Sequence, residues 1–486
     1  MKKKILFFIV VFLVLLSYWV VEPFSLNPLK EQPYAFSKSE LNFNCNPIVD
    51  YSSKFQSKAD SLIDNAILLN DFIGVSTGVL KMDCGTWVGN GGFSHKKEQQ
   101  RSNKNTLHRI ASVSKPMTAV AIMQLYERGK INLDVPIQTY IDEFPKSDKG
   151  EVTIRHLLKH TGGVQHYSSM WDGMNFTSYP NMTQALNEFK ERDLSFIPGS
   201  NYQYSTYGYT ILGAIIEKIS EMSYQDYMTK YIWEPADMQN TNIEIAEEVY
   251  DDKADLYIKL GAFYIKSPKT DLSVKYPGGG IYSTAQDLLK FGSAILEHKL
   301  IDRSTLNLMI NSTDTLKQGT PYGFGWFVID HGEYGKIIQH GGSQSGTSSF
   351  FQILLEQKVA VAALANNFGS DEGVYYLVRD LSDLLVDSTT INQSIKYFKK
   401  QKNETLEKHV GNYQFEDRIL EVTKKRNQLF IQEKPYPKVA IYPESSDEYF
   451  CRIFDAQLDF NSKGNQPFGE VLYTNKGKTN RYKKIN

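Results

Sequence analysis

From Ala111 to Leu125 the chain is apolar nearly all the way round a helical pitch. A helix of that kind cannot lie on a surface; it belongs inside a core, walled in by other elements. Gly129 is the expected stop, because glycine enters the left-handed conformation that ends many helices. The same helix opens with Ser112-Val113-Ser114-Lys115-Pro116. Pro116 fixes the first turn instead of breaking the middle. Lys115 therefore carries an ammonium into apolar surroundings, where an unpaired charge is costly.

The length, 486 residues, is enough for roughly three domains, or for one large domain and a small one. A hydrophobic fraction of 41% suits a packed globular chain and argues against disorder. Lys+Arg 54 against Asp+Glu 55 leaves a net charge of −1, so overall charge makes no case for nucleic acid as a partner. The three cysteines, Cys45, Cys84 and Cys451, have no CxxC spacing and allow at most one bridge.

The N-terminus bears on compartment. Lys2, Lys3 and Lys4 precede an apolar run from Ile5 to Leu16 that continues to Val21. At 1.5 Å per residue the run reaches about 26 Å, a little short of a bilayer core of about 30 Å. It exceeds an ordinary signal-peptide core, and no small-x-small site follows closely. The expectation is a membrane anchor over 1–24, or an exported, secreted or periplasmic chain if the segment is cleaved, with the lysines cytoplasmic.

Residues 25–50, with Pro28, Pro33 and Pro47, read as a linker. A large unit follows over 51–395. Val75 to Leu80 reads as a strand, with a turn over Lys81 to Gly85. Leu212, Ile215, Ile216 and Ile219 mark a helix face, and Ser283-Thr284-Ala285-Gln286 reads as a capping box. Phe350 to Ala365 reads as two strands split near Glu356-Gln357-Lys358. Strands at both ends with helices between predict an α+β class. From 396 to 486, short strand-like pieces at 419–422, 429–432, 439–442, 449–454 and 471–473 predict a small antiparallel β domain.

Ser112-x-x-Lys115 sets a hydroxyl and an amine one turn apart on one helix face. A serine hydroxyl is a poor nucleophile until a base takes its proton, and a lysine with a depressed pKa can be that base. Tyr204-Ser205-Thr206 supplies a second candidate. A tyrosine acts as base only as phenolate; lowering its pKa from about 10 to near 7 takes roughly 4 kcal/mol. A neighbouring Lys115 ammonium is the expected source. His340-Gly341-Gly342-Ser343 is the third element. Its glycines let a strand approach a ligand closely, and its N–H groups, with that of Ser112, can face a developing oxyanion.

These three elements, in this order, resemble the motifs of class C β-lactamases and penicillin-binding-protein-like serine hydrolases. The surrounding words match as well: Arg109 to Thr118, Thr153 to Gly163, Tyr276 to Thr284 and Tyr322 to Trp326. The likeness covers about residues 55–385 and looks closest to the serine β-lactamase-like peptidases. It implies a β-lactamase/transpeptidase-like fold, a central antiparallel sheet flanked by helices with a helical region alongside. It also implies acylation of Ser112, proton transfer shared by Lys115 and Tyr204, and an oxyanion hole at the N–H groups of Ser112 and Ser343. Thr206, His340, Gly341 and Gly342 line the substrate. The implied substrate is a small molecule, a peptide or a cell-wall fragment cleaved at an amide or ester. Which of Lys115 and Tyr204 is the base stays open, since the two titrate as a pair.

Two departures stand out. Most members carry Asn where this chain has Thr206, and true β-lactamases usually carry Lys where it has His340. A neutral imidazole forfeits a cation worth up to about 4 kcal/mol against a carboxylate. Slow or absent β-lactam turnover is therefore expected. The alternatives are a true β-lactamase or D-Ala-D-Ala carboxypeptidase, and a catalytically inactive ectodomain that binds peptidoglycan or another ligand. Neither a G-x-S-x-G at Gly74 to Gly78, set inside a strand, nor His156, His160 and His166, without the Glu of HExxH, makes a convincing site. No reading requires a cofactor or a metal.

Overall fold

The computed structural model describes residues 38–43, 49–69, 72–169, 173–260, 263–313, 319–332, 334–386, 401–425, 427–434, 436, 438–451, 456–460, 469–475 and 478–485. The chain divides into two compact units, residues 1–391 and 392–486.

The first unit is built on an antiparallel sheet. Its strands are β1 (Lys38–Phe43), β2 (Gly74–Lys81), β3 (Gly85–His95), β4 (Phe327–His331), β5 (Gly335–Gln344), β6 (Thr347–Leu354) and β7 (Val359–Ala365). They lie in the order β1-β3-β2-β7-β6-β5-β4. The central strand β7 reads Val-Ala-Val-Ala-Ala-Leu-Ala because both its faces are buried. Val359, Val361, Ala363 and Ala365 pack with helices α1 (Val49–Leu68) and α5 (Asp371–Val386). Ala360, Ala362 and Leu364 face the larger core, which holds α2 (Ser114–Glu127), α3 (Thr206–Ser220) and α4 (Ala285–Leu296). The apolar helix at Ala111–Leu125 is thus buried between the sheet side and the other helices, as its pattern requires.

Three expectations need correction. The stretch 25–50 is not all linker: β1 pairs with β3 from Lys38↔Asn90 to Phe43↔Gly85. Ser39 donates to Asp60 of α1 and accepts from Gln56, which ties the strand down. Lys-Ser-Glu-Leu-Asn-Phe is a polar edge strand, and its flanking prolines hid it. The helix after Ser283 is capped one residue later than expected, by Thr284, whose Oγ1 accepts from the Asp287 N–H. The apolar helix itself starts as a 3-10 turn, Ala111–Val113, before the α-helix takes over at Ser114. The proposed anchor over 1–24 lies outside the described residues. Among those residues no helix is long and apolar enough to cross a membrane. Cys84 is disulfide-bonded and Cys451 is buried.

The second unit is a closed antiparallel barrel. Its strands are β8 (Gly411–Phe415), β9 (Arg418–Lys425), β10 (Gln428–Glu433), β11 (Val439–Pro443), β12 (Glu448–Cys451), β13 (Ala456–Asp459), β14 (Glu470–Asn475) and β15 (Lys478–Lys484). Tyr413↔Lys484 closes the ring. Leu420, Val422, Leu429, Ile431, Ile441 and Leu458 fill the interior. The sequence pattern missed β8, β13 and β15. β15 is polar apart from Tyr482, which points into the core.

Candidate active site

Ser112 sits in the 3-10 turn that precedes α2, and the residue before it sets the turn. Ala111 holds φ +46°, a left-handed backbone that an alanine adopts only at a cost of roughly 1 kcal/mol. The Ser114 hydroxyl donates to the Ala111 carbonyl and closes the turn. Ser112 is left half-buried at the floor of a cleft of about 540 Å³, while Lys115, one turn on, is fully buried.

Two groups, an amine and a phenol, flank that hydroxyl. The Lys115 Nζ lies 3.0 Å from Ser112 Oγ, 3.2 Å from Thr206 Oγ1 and 2.7 Å from the Gly278 carbonyl oxygen. Among the described residues no carboxylate forms an ion pair with it. Burial holds the Lys115 amine well below the usual lysine range, and the Lys275 ammonium adds repulsion. The Tyr204 side chain lines the cleft with Ser112, and its ring centroid is 4.7 Å from Lys115 Nζ. Burial raises the Tyr204 phenol above its ordinary value, more than the Ser112 hydroxyl lowers it. Against the expectation of a phenolate stabilised by a lysine cation, desolvation disfavours charge on both groups, lowering the Lys115 amine and raising the Tyr204 phenol.

The segments carrying these groups are fixed locally. Ser205 caps α3 by accepting from Gly208 N–H, which sets Tyr204 just before the helix and Thr206 at its first turn. Gly278 lies in the short helix Tyr276–Gly279. A side chain there would meet Thr206 Cγ2 at 2.6 Å and push the carbonyl off Lys115.

The third motif lies on β5. Strand β4 pairs with β5 only as far as Gln339, so residues 340–344 bond β6 on one side and present an unpaired edge on the other. The hairpin turns at Ser345-Gly346 between the partners Gln344 and Thr347. Antiparallel alternation then aims the N–H groups of Gly341 and Ser343 off the unpaired edge. Gly341, Gly342 and Ser343 line the cleft with Ser112. A side chain at Gly342 would collide with Ser349 Oγ and the Ile110 carbonyl and press on the Ser112 N–H.

His340 is buried and does not face the cleft as a cation. Its Nδ1 is 2.6 Å from the Gly341 carbonyl, which can only accept, so Nδ1 carries the proton. Nε2 then accepts from the Tyr322 hydroxyl at 3.1 Å. Burial and the charge of Lys115 bring the imidazole pKa down to about 3.

Several neighbours named in the sequence without a role at the nucleophile pack around it. His160 stacks on Tyr204 with centroids 4.3 Å apart, and its Nδ1 accepts from Ser205 N–H. His166 lines the cleft and accepts from Thr206 N–H. His156 accepts from Thr153 N–H at a helix start. All three thus serve backbone amides, and among the described residues no metal-binding cluster occurs. Ser76, the serine of the rejected G-x-S-x-G, is buried in β2 with its Oγ 3.1 Å from His108 Nε2. Lys275 and Tyr322 flank or lie in words already matched to the family, which was the available signal.

Comparison with known proteins accords with this arrangement. The sequence profile described as Beta-lactamase matches residues 64–382. The human serine beta-lactamase-like protein LACTB, mitochondrial, is 26% identical over 424 residues, covering 68% of this chain and 77% of that one. The octameric penicillin-binding protein homologue from Pyrococcus abyssi superposes with a TM-score of 0.63 at 22% identity, over 88% of this chain and 100% of its own. The D-amino acid amidase from Ochrobactrum anthropi SV3 gives a TM-score of 0.61 at 21% identity, over 70% and 100% of the two chains. Members of the matched family are typically hydrolases. With the profile spanning both the central sheet and the Ser112, Tyr204 and His340 segments, this chain belongs to the Beta-lactamase family.

Proposed function

We propose that this protein is a serine hydrolase that cleaves an amide or ester through an acyl-enzyme on Ser112. The observation that carries the reading is the 3.0 Å approach of a buried, carboxylate-free Lys115 amine to the Ser112 hydroxyl. A neutral amine has two N–H donors and one lone pair. The Gly278 carbonyl and Thr206 Oγ1 take the two donors, and the lone pair is left for the Ser112 proton. Lys115 is thus the general base of acylation. Tyr204, its phenol raised by burial and set beside Ser112 in the cleft, relays a proton to the leaving group.

In the forward step Ser112 Oγ bonds to the substrate carbonyl carbon as its proton passes to Lys115. The carbonyl oxygen becomes an oxyanion facing the N–H groups of Ser112 and Ser343. The bond to the leaving amine or alcohol breaks as that group takes the proton through Tyr204. Water repeats the sequence on the acyl-enzyme and releases the acid. Thr206 keeps the role of acceptor for Lys115 that an amide oxygen would fill, and gives up the amide's N–H donors.

The substrate reading is a small molecule, peptide or cell-wall fragment. The neutral His340 argues against efficient β-lactam hydrolysis. An exported, N-terminally anchored location is proposed on the basic and apolar start of the sequence, supported by the disulfide at Cys84, since such bonds persist in oxidising compartments.

The test is a fluorophosphonate probe followed by intact mass. One adduct on the wild type, absent from Ser112→Ala, is expected. No adduct, or equal labelling of the variant, favours the ligand-binding ectodomain instead.

A further inference from the structure

Two cavities meet at Lys275. One is the cleft over Ser112; the other, of about 320 Å³, lies between Arg109, Met174, Leu272 and Phe368. Lys275 lines both, together with His166, Tyr167, Ser343 and Gln344. It ends the 3-10 turn Ser273–Lys275, directly before the short helix whose Gly278 carbonyl faces Lys115.

The side chain is only 5% exposed, yet no carboxylate among the described residues pairs with it. Its Nζ donates to the Gly173 carbonyl at 2.7 Å and lies 5.2 Å from the centroid of the Tyr167 ring. An ammonium has three N–H donors, and among the described residues its acceptor is this carbonyl, leaving two. The nearby buried acid, Glu244, is already held by Arg109 at 2.6 Å and Lys253 at 2.7 Å. A buried ammonium without a counterion costs stability, and an apolar side chain would fill the space more cheaply. Asp371 and Glu372 also line the cleft, but they are exposed, so water screens their charge. Among the residues lining the cleft, Lys275 is the only lysine or arginine, and the third motif supplies a neutral imidazole instead of a cation.

We propose that Lys275 receives a carboxylate of the substrate, so that the enzyme prefers amides or esters whose acyl or leaving part carries one. The inference rests on the serine-hydrolase reading and names the substrate class for the same site. Burial, then repulsion from Arg109, brings the Lys275 ammonium down to about 7. A bound carboxylate restores the proton and occupies the two remaining donors.

The experiment uses two pairs of p-nitrophenyl-type esters. One pair carries a carboxylate or its uncharged carboxamide on the acyl chain, the other on the leaving phenol. At least one pair should show about a tenfold or greater preference for the carboxylate in kcat/KM, carried mainly by KM. Lys275→Met should bring that ratio close to one, and Lys275→Arg should retain most of it. Ratios near one in both pairs on the wild type overturn the proposal, as does an undiminished ratio in Lys275→Met. If nothing is turned over and fluorophosphonate leaves no adduct, the hydrolase reading fails separately. The carboxylate claim is then read from thermal shifts with glutarate against glutaramide: a glutarate-specific shift lost in Lys275→Met upholds it, and no such shift overturns it.

Discussion

The Tyr322 hydroxyl donates to His340 Nε2 across 3.1 Å, and this bond commits the histidine of the third motif to neutrality. Three consequences can be measured. Nitrocefin turnover should be slow or absent. No limb of the pH–rate profile between about pH 5 and 8 should belong to His340, because its pKa has been driven to about 3. Tyr322→Phe leaves Nε2 buried without a donor and should cost about 1–3 kcal/mol in chemical denaturation.

The pH profile should instead report Lys115. Activity needs the neutral amine, so kcat/KM rises with pH as Lys115 loses its proton, at a pH well below the ordinary lysine value. Part of that depression comes from the charge on Lys275. Lys275→Met removes the repulsion, so Lys115 should hold its proton to higher pH. With an uncharged ester, the acidic limb should move in the alkaline direction. A limb that stays in place, or moves toward acid, contradicts the assignment of Lys115 as base.

Gly342→Ala tests the close approach of β5 to the nucleophile. The added methyl meets the Ile110 carbonyl and Ser349 Oγ, both part of the wall that positions Ser112. Ser349 Oγ donates to that same carbonyl at 2.7 Å. Displacing the strand shifts one oxyanion donor, so kcat should fall roughly 100-fold or more, the scale of losing a single donor. Fluorophosphonate labelling of Ser112 should slow in parallel, while circular dichroism keeps its wild-type form.

Glu244→Ala tests the buried clamp behind the hairpin. Arg109 and Glu244 are each 3% exposed, and Arg109 also donates to the Ser345 carbonyl at 2.9 Å. Removing the carboxylate strands Arg109 without its ion-pair partner. A loss of about 3–5 kcal/mol is expected by urea denaturation. A change within 0.5 kcal/mol, on the order of an ordinary surface substitution, would show the pair to be dispensable.

Much of the site was legible because its chemistry is local. Ser112 and Lys115 share one helical turn, and Tyr204 and Thr206 bracket a helix start, so short motifs carry them, and the family resemblance of those motifs in order implied their roles. The protonation of Tyr204 was not legible. It depends on the summed burial of Tyr209 nearby and of His160 and Tyr322, which come from distant segments of the chain. Lys275 was missed for a similar reason: one lysine before a glycine run has no pattern until the fold surrounds it. Central strands such as β7 announced themselves by being apolar throughout. The polar edge strand β1 and the barrel strand β15 did not, because ladder bonds that side chains do not encode hold them in place.

The closure of the second unit restricts how that unit can associate. A ring without a first or last strand offers no open ladder for an incoming extended segment to join. Whatever docks on it must recognise the pattern of side chains on its outside, and that recognition can be altered one residue at a time without unmaking the ring.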